Sequence, residues 1–195
     1  MTAGRASFMM SPPCRLGRTA VNRIEHIGLM AHYNQWMNRK VYAAAGTLTD
    51  AELRVDRQAF FGSILGTLNH LTLGDTVWLK RFAEHPAGFR ALAPLSDIPT
   101  PMDLKQLAFA NLIELSAHRA WLDQLIIDWA NTLQESDLDQ RLRYHNMRGV
   151  AGEKPFFGLL VHFFNHQTHH RGQVTTLLTQ AGVDVGTTDL LALID

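Results

Sequence analysis

The sequence has little cysteine, no long apolar run and no excess of either charge, and each absence excludes a class of protein. Cys14 is the one cysteine among 195 residues, so no disulfide can form within the chain, which fits a reducing compartment. No stretch of about 18 apolar residues occurs, and the N-terminus lacks the apolar core of a signal peptide. These absences predict a cytoplasmic protein without a membrane partner.

The charge balance and composition narrow the class further. Lysine and arginine together number 18, as do aspartate and glutamate, so the formal net charge at pH 7 is zero. Such a chain lacks the positive excess typical of nucleic-acid-binding proteins, and we expect no nucleic-acid partner. With 46% hydrophobic residues and only 14 glycines and 7 prolines, the chain is neither disordered nor collagen-like in composition. Its length predicts one compact domain.

Apolar residues recur at three- and four-residue steps in four long segments, which is the period of amphipathic helices. These segments cover about residues 24–45, 60–82, 102–133 and 155–182. Pro155 suits the first turn of a helix, and Gly46 and Gly182 suit the left-handed position just past a helix end. The pattern therefore predicts an all-α fold, most simply a four-helix bundle.

Three other segments have no helical period. Residues 85–102 are rich in proline and are predicted to form a loop packed across one end of the bundle. Residues 134–154 favour a short hairpin or an irregular excursion over a helix. Residues 1–22 are predicted to be a disordered or loosely attached tail, which leaves residues 23–195 as the folded domain.

Histidine is the unusual residue of this sequence, with ten copies, three of them in register on the fourth helix. His162, His166 and His170 follow one another at four-residue steps and therefore share a stripe. Neighbours in the stripe lie about 6 Å apart at Cβ, so two imidazoles can reach one metal ion. The outer pair is separated by about 12 Å along the helix, which is too far for one ion. The spacing predicts two ligands from this helix and at least one from another.

A structural role competes with metal binding, because a single histidine on an apolar face is more often a hydrogen-bonded core residue. Three clustered imidazoles favour the metal, since each neutral ring needs both a donor and an acceptor partner. For the missing ligand, spacing ranks His70 first because it lies mid-helix among leucines. His118 remains an alternative at this point.

Two segments resemble the signature helices of the DinB family (DinB/YfiT-like metalloenzymes): GTLNHLTLGDTVWL around His70 and HFFNHQTHHRGQVTTLLTQAG around His166. The motif N-H-x-x-x-H-R-G-Q at residues 165–173 is the most specific part, and the resemblance extends from Ile24 to the end of the chain. It implies a four-helix bundle of the DinB/YfiT-like type with a three-histidine site for a divalent metal, often in a homodimer. Carried over by position, the metal ligands are His70, His166 and His170, and His162 is a neighbour rather than a ligand.

The chemistry of such a site agrees with the resemblance. Three imidazoles with an open fourth position are typical of catalytic rather than structural zinc sites, and imidazole also suits nickel, so we expect zinc or nickel. The resemblance implies a metal-dependent transferase or isomerase that uses a low-molecular-weight thiol and a small-molecule substrate. A second version has the ion activate water for hydrolysis. The alternative is a non-catalytic metal-binding or stress-response bundle in which the ion is structural. No catalytic residue stands out.

Single residues near these motifs also receive expectations. Asp75 is expected either to orient a group near the ligands or to be a solvated charge. Gly172, inside a helix, is expected either to mark a close helix crossing near His170 or simply to be tolerated there. His85 is expected at the surface, and Trp36 and Trp78 in the core.

Overall fold

The structure, a computed structural model, describes residues 22–194. The predicted tail, residues 1–22, lies outside this range except for Asn22. The helices are α1 (Arg23–Ala45), α2 (Asp50–Arg54), α3 (Ile64–Ala83), α4 (Leu112–Ala130), α5 (Glu135–Leu138) and α6 (Phe156–Gln180), with 3-10 helices at Arg90–Asp97 and Leu190–Leu193. Strands β1 (Arg141–His145) and β2 (Ala151–Pro155) form one antiparallel hairpin.

The four long helices α1, α3, α4 and α6 form the predicted all-α bundle. Helix α1 packs against α4 and α6, and α3 packs against α6. Helix α1 begins at Arg23 because the side chain of Asn22 accepts a hydrogen bond from the Glu25 backbone amide at 3.1 Å. Within residues 22–194, none of the helices has the length and apolarity needed to cross a membrane.

The third long helix was predicted to start near residue 102, and this prediction was wrong by about ten residues. Helix α4 begins at Leu112, where the side chain of Asn111 caps it by accepting from the Glu114 amide at 2.9 Å. The preceding segment is held by α3 instead, because Asn69 accepts from the Phe109 amide at 2.9 Å and donates to the Phe109 carbonyl at 3.2 Å. Leucines that imitate a helical stripe in the sequence therefore belong to a loop.

The helix ends agree with the sequence in part. Gly182 has φ of +80°, the left-handed conformation predicted just past α6. Gly46 ends α1 with φ of −67°, so its predicted left-handed conformation was wrong. The predicted hairpin is present as β1 and β2, and the predicted loop at 85–102 contains a 3-10 helix whose Leu92 and Leu95 are buried.

A buried polar network links the four long helices in the centre of the bundle. Arg119 of α4 pairs with Asp75 of α3 at 2.6 Å and with Asp123 one turn along at 2.9 Å. Asn34 of α1 donates to Asp123 at 3.0 Å and accepts from Arg171 of α6. Asp75 is 1% exposed and bound to an arginine, so it is not a solvated charge.

Candidate metal centre

The structure brings His70 of α3 together with His166 and His170 of α6. The Nε2 atom of His70 lies 3.3 Å from Nε2 of His166 and 3.2 Å from Nε2 of His170. One ring nitrogen from each of the three histidines lies within 4.8 Å of the others. His118 is outside this cluster and packs against Phe109 and Trp121 instead.

Hydrogen bonds on the far side of two rings determine where their protons lie. The Nδ1 atom of His70 is 3.1 Å from the carbonyl oxygen of Leu104, to which it can only donate. The Nδ1 atom of His170 is 2.7 Å from Oε1 of Gln173, and it donates there as well. Each neutral imidazole carries one proton, so both Nε2 atoms hold bare lone pairs.

These bare lone pairs point at each other across 3.2 Å, which is unfavourable without a positive charge between them. If His166 carries its proton on Nε2, this proton can be donated to His70 or to His170 but not to both. The Nδ1 atom of His166 is buried without a hydrogen-bond partner among residues 22–194. Tetrahedral nitrogen ligands at about 2.0–2.1 Å from zinc are separated by about 3.3–3.4 Å. The three histidines therefore fit a divalent ion in both donor chemistry and spacing.

Burial keeps the imidazoles in the neutral form that a metal requires. Burial and, to a smaller extent, the nearby His170 lower the pKa of His70 to about 4, against the opposing effect of the Leu104 hydrogen bond. Burial, followed by the repulsion of the neighbouring histidines, lowers the pKa of His166 to about 3. The pKa of His170 is also lowered by burial, against the opposing effect of Gln173. At neutral pH all three rings can act as ligands.

Packing around the cluster holds the rings in place. The Phe61 ring stacks on His70 with centroids 3.7 Å apart. On α3, a Cβ atom at Gly74 would lie only 2.9 Å from Cε1 of His166, so this glycine makes room for the ligand ring. A Cβ at Gly172 would meet nothing within 4 Å, and the predicted close crossing at that residue was wrong. The close approach occurs at Gly74 on α3 instead.

The remaining histidines of interest lie apart from the three nitrogen atoms. His162 is exposed, with its ring 6.1 Å from His166 and 5.0 Å from Trp78. His169 is exposed beside Gln173. His85 is 2% exposed and its ring centroid is 4.2 Å from that of Phe156, so the predicted surface position was wrong.

Two groups that orient the ligands were missed in the sequence. Gln173 follows His170 by three residues within the matched motif, so its helical spacing was an available signal. The Leu104 carbonyl had no such signal, because the position of a backbone group in a loop is not evident from the sequence.

Trp36 and Trp78, which were predicted in the core, are only partly buried, whereas Trp129 is fully buried in it.

Comparisons with known proteins identify a family and two relatives. The sequence model of the DinB family matches residues 20–195. Protein DinB of Bacillus subtilis (strain 168) is 26% identical over 157 residues, which is 80% of this chain and 87% of that protein. Uncharacterized protein YrdA of the same organism is 33% identical over 94 residues, 48% of each chain. No solved structure matches the chain.

Proposed function

The chain belongs to the DinB family, and we propose that it is a metal-dependent enzyme whose His70, His166 and His170 bind one divalent ion, zinc or nickel. The observation that carries the proposal is the 3.2 Å distance between the Nε2 atoms of His70 and His170, both of which lack a proton when the Nδ1 atoms donate to Leu104 and Gln173. Three neutral imidazoles suit both metals.

A bound ion of this kind supplies a nucleophile at neutral pH, because it ionises a coordinated thiol or water. We infer that the protein is a transferase or isomerase that uses a low-molecular-weight thiol as cosubstrate. In a second version of this proposal, the ion activates water and the protein is a hydrolase. The chain's own residues orient the ligands: Leu104 and Gln173 hold the Nδ1 protons of His70 and His170. Phe61 covers one face of His70 and keeps water from it. We also propose that the chain forms a homodimer, and this part of the proposal is based on family membership alone.

The competing function is a bundle in which the ion is only structural. Structural zinc sites are closed by four protein ligands, whereas catalytic sites use three and leave a position for water or substrate. Within residues 22–194 the cluster contains three candidate ligand side chains. This ligand number favours an enzyme.

The ligand assignment is tested by elemental analysis of purified variants. His70→Ala, His166→Ala and His170→Ala should each lose stoichiometric metal, because the two remaining imidazoles hold the ion too weakly. His118→Ala is the matched control, since this histidine is also half-buried but lies outside the cluster. His162→Ala should weaken binding modestly at most. Full metal occupancy in the His70→Ala variant, together with loss of metal in the His118→Ala variant, would show that His118 rather than His70 is the third ligand.

The enzymatic part of the proposal is tested with the same proteins. Wild type loaded with zinc or nickel should turn over one of a panel of thiol-plus-electrophile pairs, and the His166→Ala variant should not. Stoichiometric metal without metal-dependent turnover of these pairs or of hydrolytic substrates would favour the structural alternative.

A further inference from the structure

A cleft of about 300 Å³ lies beside the C-terminal half of α3, outside the histidine cluster. Its lining includes the segment 100–102 and residues 145–147 at the end of β1 and the start of the hairpin turn. Val77 and Arg81 of α3 also line it. This volume is at the lower end of the range for small-molecule sites.

The cleft and the metal centre lie along the same helix. His70, Gly74, Val77 and Arg81 are spaced i, i+4, i+7 and i+11, so they lie on the same face of α3. Val77 is about 10 Å and Arg81 about 16 Å from His70 along the helix axis. Met102, in the lining of the cleft, is two positions before Leu104, whose carbonyl binds His70.

Arg81 is a half-buried cation without an anionic partner. Its guanidinium carbon lies 4.6 Å from the centroid of the Trp78 ring and 5.3 Å from that of Tyr144, which hold the group in place. It makes no ion pair within 4.0 Å and donates no hydrogen bond within the described part of the chain, residues 22–194. Glu84, which also lines the cleft, is exposed. Burial lowers the pKa of Arg81, and the charges of Tyr144 and Glu84 oppose this effect only in part.

The cleft lining combines two methionines with polar groups. Lys80 is already bound to the Leu95 carbonyl at 2.7 Å, and Glu84 is the one carboxylate in the lining. Met102 is 86% exposed and Met147 is 44% exposed. Methionine side chains are flexible and polarizable and adapt to apolar ligands of different shapes. A ligand with one anionic end and an apolar body matches this arrangement.

We propose that this cleft binds the carboxylate end of a small organic substrate, with Arg81 as its counterion and Met102 and Met147 against its apolar part. The inference rests on the proposed function in one respect, since it takes the ligand of the cleft to be a substrate of the enzyme. A planar carboxylate can accept two parallel hydrogen bonds from the guanidinium, which a neutral isostere cannot.

The test uses NMR of protein labelled at the methionine methyl groups, titrated with 4-phenylbutyrate and with its neutral amide. The acid should shift the Met102 and Met147 signals and leave the buried Met37 signal unchanged. It should bind about tenfold more tightly than the amide, because the amide lacks the charge-assisted hydrogen bonds. Equal affinities, or shifts confined to other methionines, would overturn the proposal without any variant.

Two variants identify the counterion. Arg81→Gln should abolish the preference for the acid, and Arg81→Lys should retain part of it. Arg90→Gln is the matched control, because Arg90 is an exposed arginine outside the cleft. An acid preference that survives in Arg81→Gln, or that is lost equally in Arg90→Gln, would contradict the role of Arg81.

Repeating the titration with zinc-loaded and chelator-treated protein separates this inference from the proposed function. Acid binding that depends on Arg81 in a protein without metal-dependent activity would support the cleft and remove the enzyme. Metal-dependent turnover together with no preference for the acid would overturn the cleft proposal and support the enzyme.

The carboxylate could belong to the thiol or to the electrophile, and glutathione as a probe distinguishes them. If it belongs to the thiol, glutathione should shift the Met102 and Met147 signals of zinc-loaded protein and compete with 4-phenylbutyrate. If it belongs to the electrophile, 4-phenylbutyrate should bind equally well with glutathione present.

Discussion

At the residue scale, the candidate site depends on one glycine as much as on its three histidines. His166 reaches the cluster only because Gly74 leaves room for its ring, where a Cβ would lie 2.9 Å from Cε1. The sequence directed attention to Gly172, since that glycine belongs to the matched motif. A close approach depends on which neighbouring element crosses a helix, and this information is not present in the helix's own sequence.

We predict that Gly74→Ala weakens metal binding more than it weakens the fold. The new methyl group displaces the His166 ring by a few tenths of an ångström and misaligns Nε2, so metal affinity should fall by about tenfold or more. Alanine favours a helix by about 1 kcal/mol over glycine, which offsets part of the steric cost to stability. Isothermal titration with zinc and urea unfolding measure the two effects.

Gly172→Ala is the control for this experiment, because a Cβ there meets nothing within 4 Å. It should leave metal affinity unchanged and raise the free energy of unfolding by about 0.5–1 kcal/mol. Unchanged zinc affinity in Gly74→Ala would mean that the close approach does not position the ligand.

The spacing predicted the pair on α6, and the resemblance to the DinB family selected His70 over His118, but neither predicted what surrounds the three histidines. The four-residue step between His166 and His170 defines a shared helix face, and the leucines around His70 place it on the inner side of α3. The stacking of Phe61 on His70 and the Leu104 hydrogen bond arise from loops. Contacts of this kind follow no period, so they could not be predicted.

At the element scale, three of the four long helices were predicted to within a few residues and the third was not. The apolar spacing of Leu104 and Leu107 continues that of α4, and Asp103 resembles an N-terminal charge. The actual start is at Leu112, because Asn111 caps it and Asn69 binds the backbone of Phe109. This last contact joins residues 40 positions apart, so local sequence reasoning could not find it.

The start of α1 leads to a prediction about the N-terminal segment, which we propose is dispensable. A chain that begins at Asn22 should keep the helical circular dichroism and melting temperature of the full protein, since Asn22 already caps α1. In that shortened chain, Asn22→Ala should cost about 1 kcal/mol, the usual value of a lost cap. A loss of several kcal/mol on truncation alone would mean that residues 1–21 belong to the core.

At the scale of the whole molecule, the candidate metal site and the buried polar network share the same two helices. His166 is followed by Gln167, His170 by Arg171 and Gly74 by Asp75, and each second residue is buried on the inner side. Rotation of α6 about its axis would therefore disturb the histidine cluster and the network together. Buried charge pairs add little net stability, and such a network can instead specify one arrangement of the helices.

Acidity should act on the assembled site at a lower pH than the sequence alone suggests. Free imidazole has a pKa near 6.5, so the isolated residues would release metal as the pH falls through that value. In the fold, burial lowers the pKa of His70 to about 4 and that of His166 to about 3, so protons compete with the metal only near those values. We predict retention of zinc at pH 5.5 and release as the pH falls through about 4.

The metal-free protein should respond to acid over a different range. Because the histidine pKa values are lower in the folded chain than in the unfolded one, the unfolded state binds more protons between about pH 6.5 and 4. Its free energy of unfolding should therefore fall as the pH is lowered across this window, and less steeply in His166→Ala. Equilibrium dialysis with elemental analysis measures zinc retention, and urea unfolding followed by circular dichroism measures stability. Half of the zinc lost near pH 6.5 from protein that is still folded would mean that the cluster does not bury its ligands, because only a solvated imidazole would keep its ordinary pKa.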